Sequence, residues 1–141
     1  MGIAFRCDER TGVSVSVWDG QVAAQDAYAH MAETMADPRW GSGGKILTDL
    51  STVARTSAPS DDNIRELAAG FEASERFWSA RWAFVASDIF REAIKFTDEI
   101  GDDVDGIVVF NSIEVAAVWL GVDGASLRAV VNELRAEIRS R

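Results

Sequence analysis

Cysteine is almost missing from this chain: Cys7 stands alone among 141 residues. One thiol closes no internal disulfide, and no C-x-x-C pair is available for zinc, so a reducing cytoplasm is the expected setting. Proline is confined to Pro38 and Pro59, and histidine to His30. No apolar run approaches the ~18 residues of a membrane span, so stable membrane insertion is not expected. Met1–Arg10 lacks the apolar core of a secretory signal. Positive charge is also short, with 14 Lys and Arg against 23 Asp and Glu and a net charge of −9. The only local group of arginines, Arg128, Arg135, Arg139 and Arg141, is interleaved with glutamates. A surface of that sign repels phosphate backbones and anionic lipid, which argues against a nucleic-acid partner.

Apolar material is plentiful. Hydrophobic residues make up 48% of the chain, too many for intrinsic disorder. A chain of 141 residues is expected to form one domain. At that size folding buries roughly 68–70% of the unfolded surface, enough for a core without staples.

The pattern of elements is regular. Ile3–Cys7 alternates apolar and polar residues, and Gly12–Trp18 alternates more clearly, with Val13, Val15 and Val17 on one side and Ser14 and Ser16 on the other. This predicts a β-hairpin with one wet face at the edge of a sheet. A helix is predicted over Ala23–Ala36, with Ala24, Ala27, Tyr28, Met31 and Met35 as its stripe, ended by Asp37-Pro38. Trp40 and the glycines Gly41, Gly43 and Gly44 lead into a short strand, Lys45–Leu50. Ser60 is a good N-cap for a helix running to about Trp78, with Asp61 and Asp62 in its first turn. Arg81–Ala86 is apolar on both faces and suits the interior of a covered sheet. Ser87 and Asp88 are placed to cap a helix over Ile89–Ile100, and Ile107–Phe110 is an apolar strand. Asn111 or Ser112 caps a short helix that stops at Gly121, and Asp123 caps a last helix, Ala125–Ser140. The order β-β-α-β-α-β-α-β-α-α implies a mixed, mostly parallel five-stranded sheet with right-handed crossovers.

Three stretches carry a likeness to a known family. The first is the hairpin ending in a glycine and followed by a helix, Val13–Gly20 and Ala23–Met35. The second is Ile46–Ser51, with its ending Asp-Leu-Ser, and the third combines Arg81–Asp88 with Val108–Gly121. Over residues 3–121 the chain resembles the SpoIIAA-like (STAS) family of anti-sigma-factor antagonists. It is more similar still to the uncharacterised bacterial SpoIIAA-like, or STAS/SEC14-like, branch. The helix after Asp123 lies beyond the usual end of that domain. The resemblance implies an α/β SpoIIAA-like fold and a protein that docks other proteins. Anti-sigma antagonists carry a phosphorylatable serine after the Asp-Leu-Ser strand. The corresponding position here is Ser60, but the aspartate before that serine and the glycine after it are missing. Asp61 and Asp62 would meet a phosphate there with two carboxylates, so the usual phosphoserine switch is not expected.

Motifs that suggest chemistry are few. Gly44-Lys45 has Arg39 where a P-loop needs its first glycine and Ile46 where it needs Ser or Thr, and this run precedes a strand. His30 follows Asp26 by one turn and reads as half of an exposed helix-surface pair. Asp98, Glu99, Asp102, Asp103 and Asp105 lack EF-hand spacing and read as a solvated loop. No metal or other cofactor is expected. Of the five tryptophans, Trp82 and Trp119 read as core, while Trp18, Trp40 and Trp78 sit near element ends, as pocket lining or as boundary packing. Strand ends in parallel sheets carry sites, and here they present Asp49 and Ser51, Ser87 and Asp88, and Asn111. The candidate ligand-binding residues are therefore Asp49, Ser51, Ser87, Asp88 and Trp40.

The leading functional expectation is a non-enzymatic cytoplasmic regulatory module with an unknown protein partner. The last helix, with its stripe Leu127, Val130, Val131, Leu134 and Ile138, either covers the sheet or serves a homodimer. The alternative is a binder of a small apolar or lipid-like ligand, which requires an apolar cavity bordered by Trp18, Trp40 or Trp78. An enzyme would require Asp49, Ser51, Ser87 and Asp88 to converge in one pocket.

Overall fold

Alternation along the strands decides which side chain faces which layer, and a computed structural model covering residues 2–72, 79–100 and 106–141 shows the outcome. The strands are β1 (Ile3–Asp8), β2 (Val13–Gly20), β3 (Lys45–Val53), β4 (Arg81–Ala86) and β5 (Ile107–Phe110). The helices are α1 (Ala24–Ala36), α2 (Asp61–Glu72), α3 (Phe90–Ile100), α4 (Ile113–Leu120) and α5 (Gly124–Arg139). The five strands form one sheet in sequential order. β1 runs antiparallel to β2, and the three remaining pairings are parallel. The mixed α/β architecture is thus the expected one. β3 extends three residues past its expected end, to Val53, and the expected end of α2 near Trp78 lies outside the described residues.

Each face of the sheet has its own core. On one face, Ile46, Leu50, Trp82, Phe84 and Ala86 meet Ile64, Ala68 and Phe71 of α2 and Ala93, Phe96 and Ile100 of α3, with Met31 and Met35 of α1 packed against them. On the other, Val13, Val15, Val17, Leu47, Ala83 and Val85 meet α4 and α5. Sequential strand order with crossovers of one hand puts the three crossover helices on the same face, which leaves the opposite face to the chain after β5. The α5 stripe, Leu127, Val130, Val131, Leu134 and Ile138, is buried there. It covers the sheet and is not available to a second copy of the chain.

The hairpin differs from expectation. Its serine face is not wet: Ser14 and Ser16 are buried. Of its two strands only β1 lies at an edge, because β2 pairs with β3 on its other side, and α1 with the turn behind it covers the serines. Ser14 Oγ accepts the Gly41 amide at 2.9 Å. Trp119 also departs from its expected core place. It is half-buried against Phe110, with the Arg81 guanidinium 5.6 Å from its ring centre, because α4 lies over the short edge strand β5. On the outer side of α4, Val115 and Val118 are exposed.

Helix ends follow local chemistry. Ser112 Oγ accepts from the Val115 amide and Asp123 from the Ser126 amide. Gly121, at φ 73°, ends α4 in the left-handed conformation that glycine adopts without strain. Ser60 Oγ accepts the Asn63 amide at 3.2 Å, as expected of a cap for α2. In the turn before α3 the bond is a backbone one, Phe90 N–H to the Ser87 carbonyl, and the helix begins one residue later than expected.

Ion pairs pin α5 onto the sheet. Arg135 donates from Nη2 to the Asp49 carboxylate, and Asp49 has no exposure at all. Arg139 meets Asp19 through two hydrogen bonds of 2.9 and 3.1 Å. Arg128 grips Glu114 of α4, and Arg141 donates to the Ile3 carbonyl. The arginines of the last helix are therefore engaged within the chain. The Arg139 bond holds the Asp19 carboxyl below the usual aspartate range despite its partial burial.

Removing one partner of a buried ion pair strands the other charge, at about 3–5 kcal/mol. Urea unfolding of Asp49→Ala should therefore show a loss of about that size, and of Arg135→Met a substantial one. The double variant should lose clearly less than the sum. Strict additivity would mean that the two side chains do not depend on each other.

Candidate ligand cavity

The middle row of the sheet explains where space opens on the α1–α3 face. Strand register aligns Phe5, Ser16, Thr48, Phe84 and Val109 side by side across all five strands. The flanking positions hold large or branched apolar side chains, while the two central ones hold small hydroxyl residues. Above Thr48, and beside the Trp18 and His30 rings that cover Ser16, lies a cavity of about 680 Å³. Its walls come from α1, α2 and α3 and include Met31, Met35, Leu67 and Phe71, and its lining is mostly apolar. Trp18, Trp40 and Trp82 border it as well.

Two tethers link the segments that border the cavity. Tyr28 Oη on α1 donates to Asn63 Oδ1 on α2 at 2.8 Å. Before α1, Gln21 donates to Thr56 Oγ1 at 2.6 Å, and the Val22 amide donates to Ser57 Oγ at 2.9 Å. Residues 21–24 and 56–59, on these tethered segments, line the end of the cavity beyond the carboxyl ends of β2 and β3. That is where a parallel sheet presents its ligands.

Polar groups are few and specifically bonded. Trp18 Nε1 donates to Ser16 Oγ at 2.9 Å, and Ser16 Oγ lies 2.8 Å from His30 Nε2. Trp82 Nε1 donates to Thr48 Oγ1 at 2.9 Å. Thr34 turns its hydroxyl back to the His30 and Met31 carbonyls. Glu92 is held by Arg55 Nη1 at 2.5 and 2.8 Å. His30 stands among the edges of Phe5, Trp18 and Trp40. Burial there pushes its pKa down to about 4, so the ring is neutral near pH 7.

The expected site residues separate. Trp40 is buried and lines the cavity. Asp49 lies on the opposite face under α5, and Ser51 is 3.5 Å from the same Arg135. Ser87 and Asp88 are exposed in the turn before α3, where the Asp88 carbonyl accepts from Arg55. Asp49, Ser51, Ser87 and Asp88 therefore do not converge in one pocket. Strand alternation is the cause, since residue 48 and not 49 faces the helices that frame the cavity. Trp18 borders the cavity as one of its two readings required, and Trp78 lies outside the described residues, as do Asp102, Asp103 and Asp105.

His30 is the principal correction. It is buried and bonded to Ser16, not half of a surface pair with Asp26. The signal was present in the helical spacing: Ala27, His30, Met31, Thr34 and Met35 recur at i, i+3, i+4, i+7 and i+8. The inner face of α1 includes two polar residues, whereas the expected stripe favoured Ala24 and Tyr28.

Comparison with protein-family models, with curated proteins and with solved structures returned no match.

Native His30 titrates near 4, and an unfolded histidine near 6.5. Between those values the unfolded chain binds a proton that the native chain excludes. Stability should therefore rise with pH across that window, by about 3 kcal/mol in total, and the rise should end near the upper value. Chemical denaturation at a series of pH values should show this slope in the wild type and lose most of it in His30→Gln. A slope unchanged by the substitution would assign the effect to another group.

Proposed function

We propose that this protein is a non-enzymatic binder of a small apolar ligand, built on a SpoIIAA-like domain. The observation that carries this reading is the cavity itself. Its 680 Å³ falls inside the range of roughly 300–1,000 Å³ typical of small-molecule sites. It is framed by helices and sheet, bordered by Trp18 and Trp40, and furnished with only a few polar groups. Most of its lining is apolar, so a bound molecule would gain mainly by taking apolar surface out of water.

The SpoIIAA-like reading is supported by the order of elements and by the sequential sheet with its crossover helices on one face. The expectation of a protein-docking module has less behind it. Val115 and Val118 are exposed on α4, but the stripe on α5 that a homodimer would have used lies inside the chain.

Titration with the neutral apolar dye N-phenylnaphthylamine tests the reading. Dye emission should rise on binding, and tryptophan emission should fall. Ala27→Phe and Ala93→Leu each put side-chain volume into the cavity, where both alanines are buried. Either variant, if it unfolds cooperatively like the wild type, should bind the dye about tenfold more weakly or worse, the equivalent of about 1.4 kcal/mol. A wild type that does not bind the dye, or folded variants that bind it equally well, would remove the proposal.

A further inference from the structure

The hydrogen bonds around the cavity floor have a direction, and it restricts what a ligand can be. An indole N–H only donates, so Ser16 Oγ accepts from Trp18, and Thr48 Oγ1 accepts from Trp82. Each hydroxyl then has one proton left to give. For Ser16, which is fully buried, the remaining partner is His30 Nε2 at 2.8 Å. Giving the proton to that nitrogen leaves no buried donor unmet, and it makes Nε2 the acceptor of the neutral ring. The ring proton is thereby placed on Nδ1.

The Nδ1–H has no hydrogen-bond partner among the described residues. It is not sealed in protein either: among those residues the one fully buried, unpartnered side-chain nitrogen or oxygen is Arg135 Nε. Nδ1 is therefore not fully buried, and His30 is one of the residues that line the cavity. His30 itself is only 7% exposed. Thr48, 4% exposed and also lining the cavity, has its hydroxyl proton in the same position, with an acceptor bond made and no acceptor of its own among the described residues. His30 and Thr48, on α1 and β3, thus each bring an unmet neutral donor to a chamber whose lining is mostly apolar.

We infer that the cavity takes an apolar molecule carrying a neutral carbonyl oxygen, as in a ketone, ester or amide, and that His30 Nδ1 and Thr48 Oγ1 donate to that oxygen. This rests on the apolar-ligand reading above and narrows it. A pure hydrocarbon would leave both donors unmet at a cost that an acceptor removes. A carboxylate is disfavoured on charge. Among the described residues no Lys or Arg lines the cavity, the charged lining residues are Asp26 and Glu92, and His30 is neutral. A buried anion without a cation is expensive.

The test displaces N-phenylnaphthylamine with three probes of equal chain length: 2-decanone, decane and decanoate. Wild-type protein should bind 2-decanone about tenfold more tightly than decane, as two modest hydrogen bonds provide, and decanoate more weakly than the ketone. Thr48→Val should cut the ketone preference to about threefold while decane binding stays within about twofold, and Thr48→Ser should retain the wild-type preference. His30→Phe provides a second variant should Thr48→Val fail to fold, with the same expected loss of preference. Equal binding of ketone and alkane by the wild type would overturn the inference while leaving the apolar-ligand reading in place. Preference for decanoate would overturn its neutral-carbonyl content. Failure of the dye itself to bind would overturn the reading on which it rests.

Discussion

The parallel pairing of β2 with β3 sets Ser16 directly beside Thr48, and most of what distinguishes this molecule depends on that register. Had either residue been Val or Ile, the centre of the sheet would have met α1 and α2 as an ordinary apolar layer. Two small hydroxyl residues instead stand between Phe5 and Phe84, and Thr48 lines the cavity. They also need partners, because a buried hydroxyl without a hydrogen bond is costly. Trp18, Trp82 and His30 meet that need, and all three rings border the cavity. One constraint, burial of two hydroxyls, thus accounts for the buried histidine and for the places of two tryptophans.

The two faces of the sheet show how this space is tolerated. Under α4 and α5 the core is packed through valines, leucines and alanines, and the last helix is bolted down by Arg135 and Arg139 on Asp49 and Asp19. Side chains such as Val15, Leu47, Leu127 and Val131 have no exposure there. At roughly 1.5–3 kcal/mol for each large aliphatic side chain buried, this face contributes a fully packed share of the stability. The opposite face can then hold α1 by a lighter set of bonds, chiefly Tyr28 to Asn63 and the clasp of Gln21 and Val22 on Thr56 and Ser57. A helix tethered near the carboxyl ends of parallel strands, with a cavity beneath it, is well placed to admit a ligand.

Most of the architecture was legible in the sequence. Period-two alternation in Val13–Trp18, the double-faced apolar strand Arg81–Ala86 and the cap residues Ser112, Asp123 and Gly121 all act through neighbours a few positions away. The candidate site was not legible to the same degree. Asp49 looked like a strand-end site residue, but its partner is 86 positions later, on α5. Ser14 and Ser16 looked like a wet face, since nothing nearby in the chain announces that α1 will cover them. Trp40, read as pocket lining or boundary packing, is buried and borders the cavity.

What the sequence by itself determined, then, is the order of elements, the mixed sheet and the identity of the apolar faces. These follow from backbone sterics and from side-chain periodicity, which are local. Only the tertiary structure decided which polar residues are buried together. Ser16, His30 and Thr48 come from a strand, a helix and a second strand, and their meeting depends on the register between β2 and β3 and on the docking of α1. Register is a property of pairs of strands, so the spacing of residues along one chain segment does not contain it.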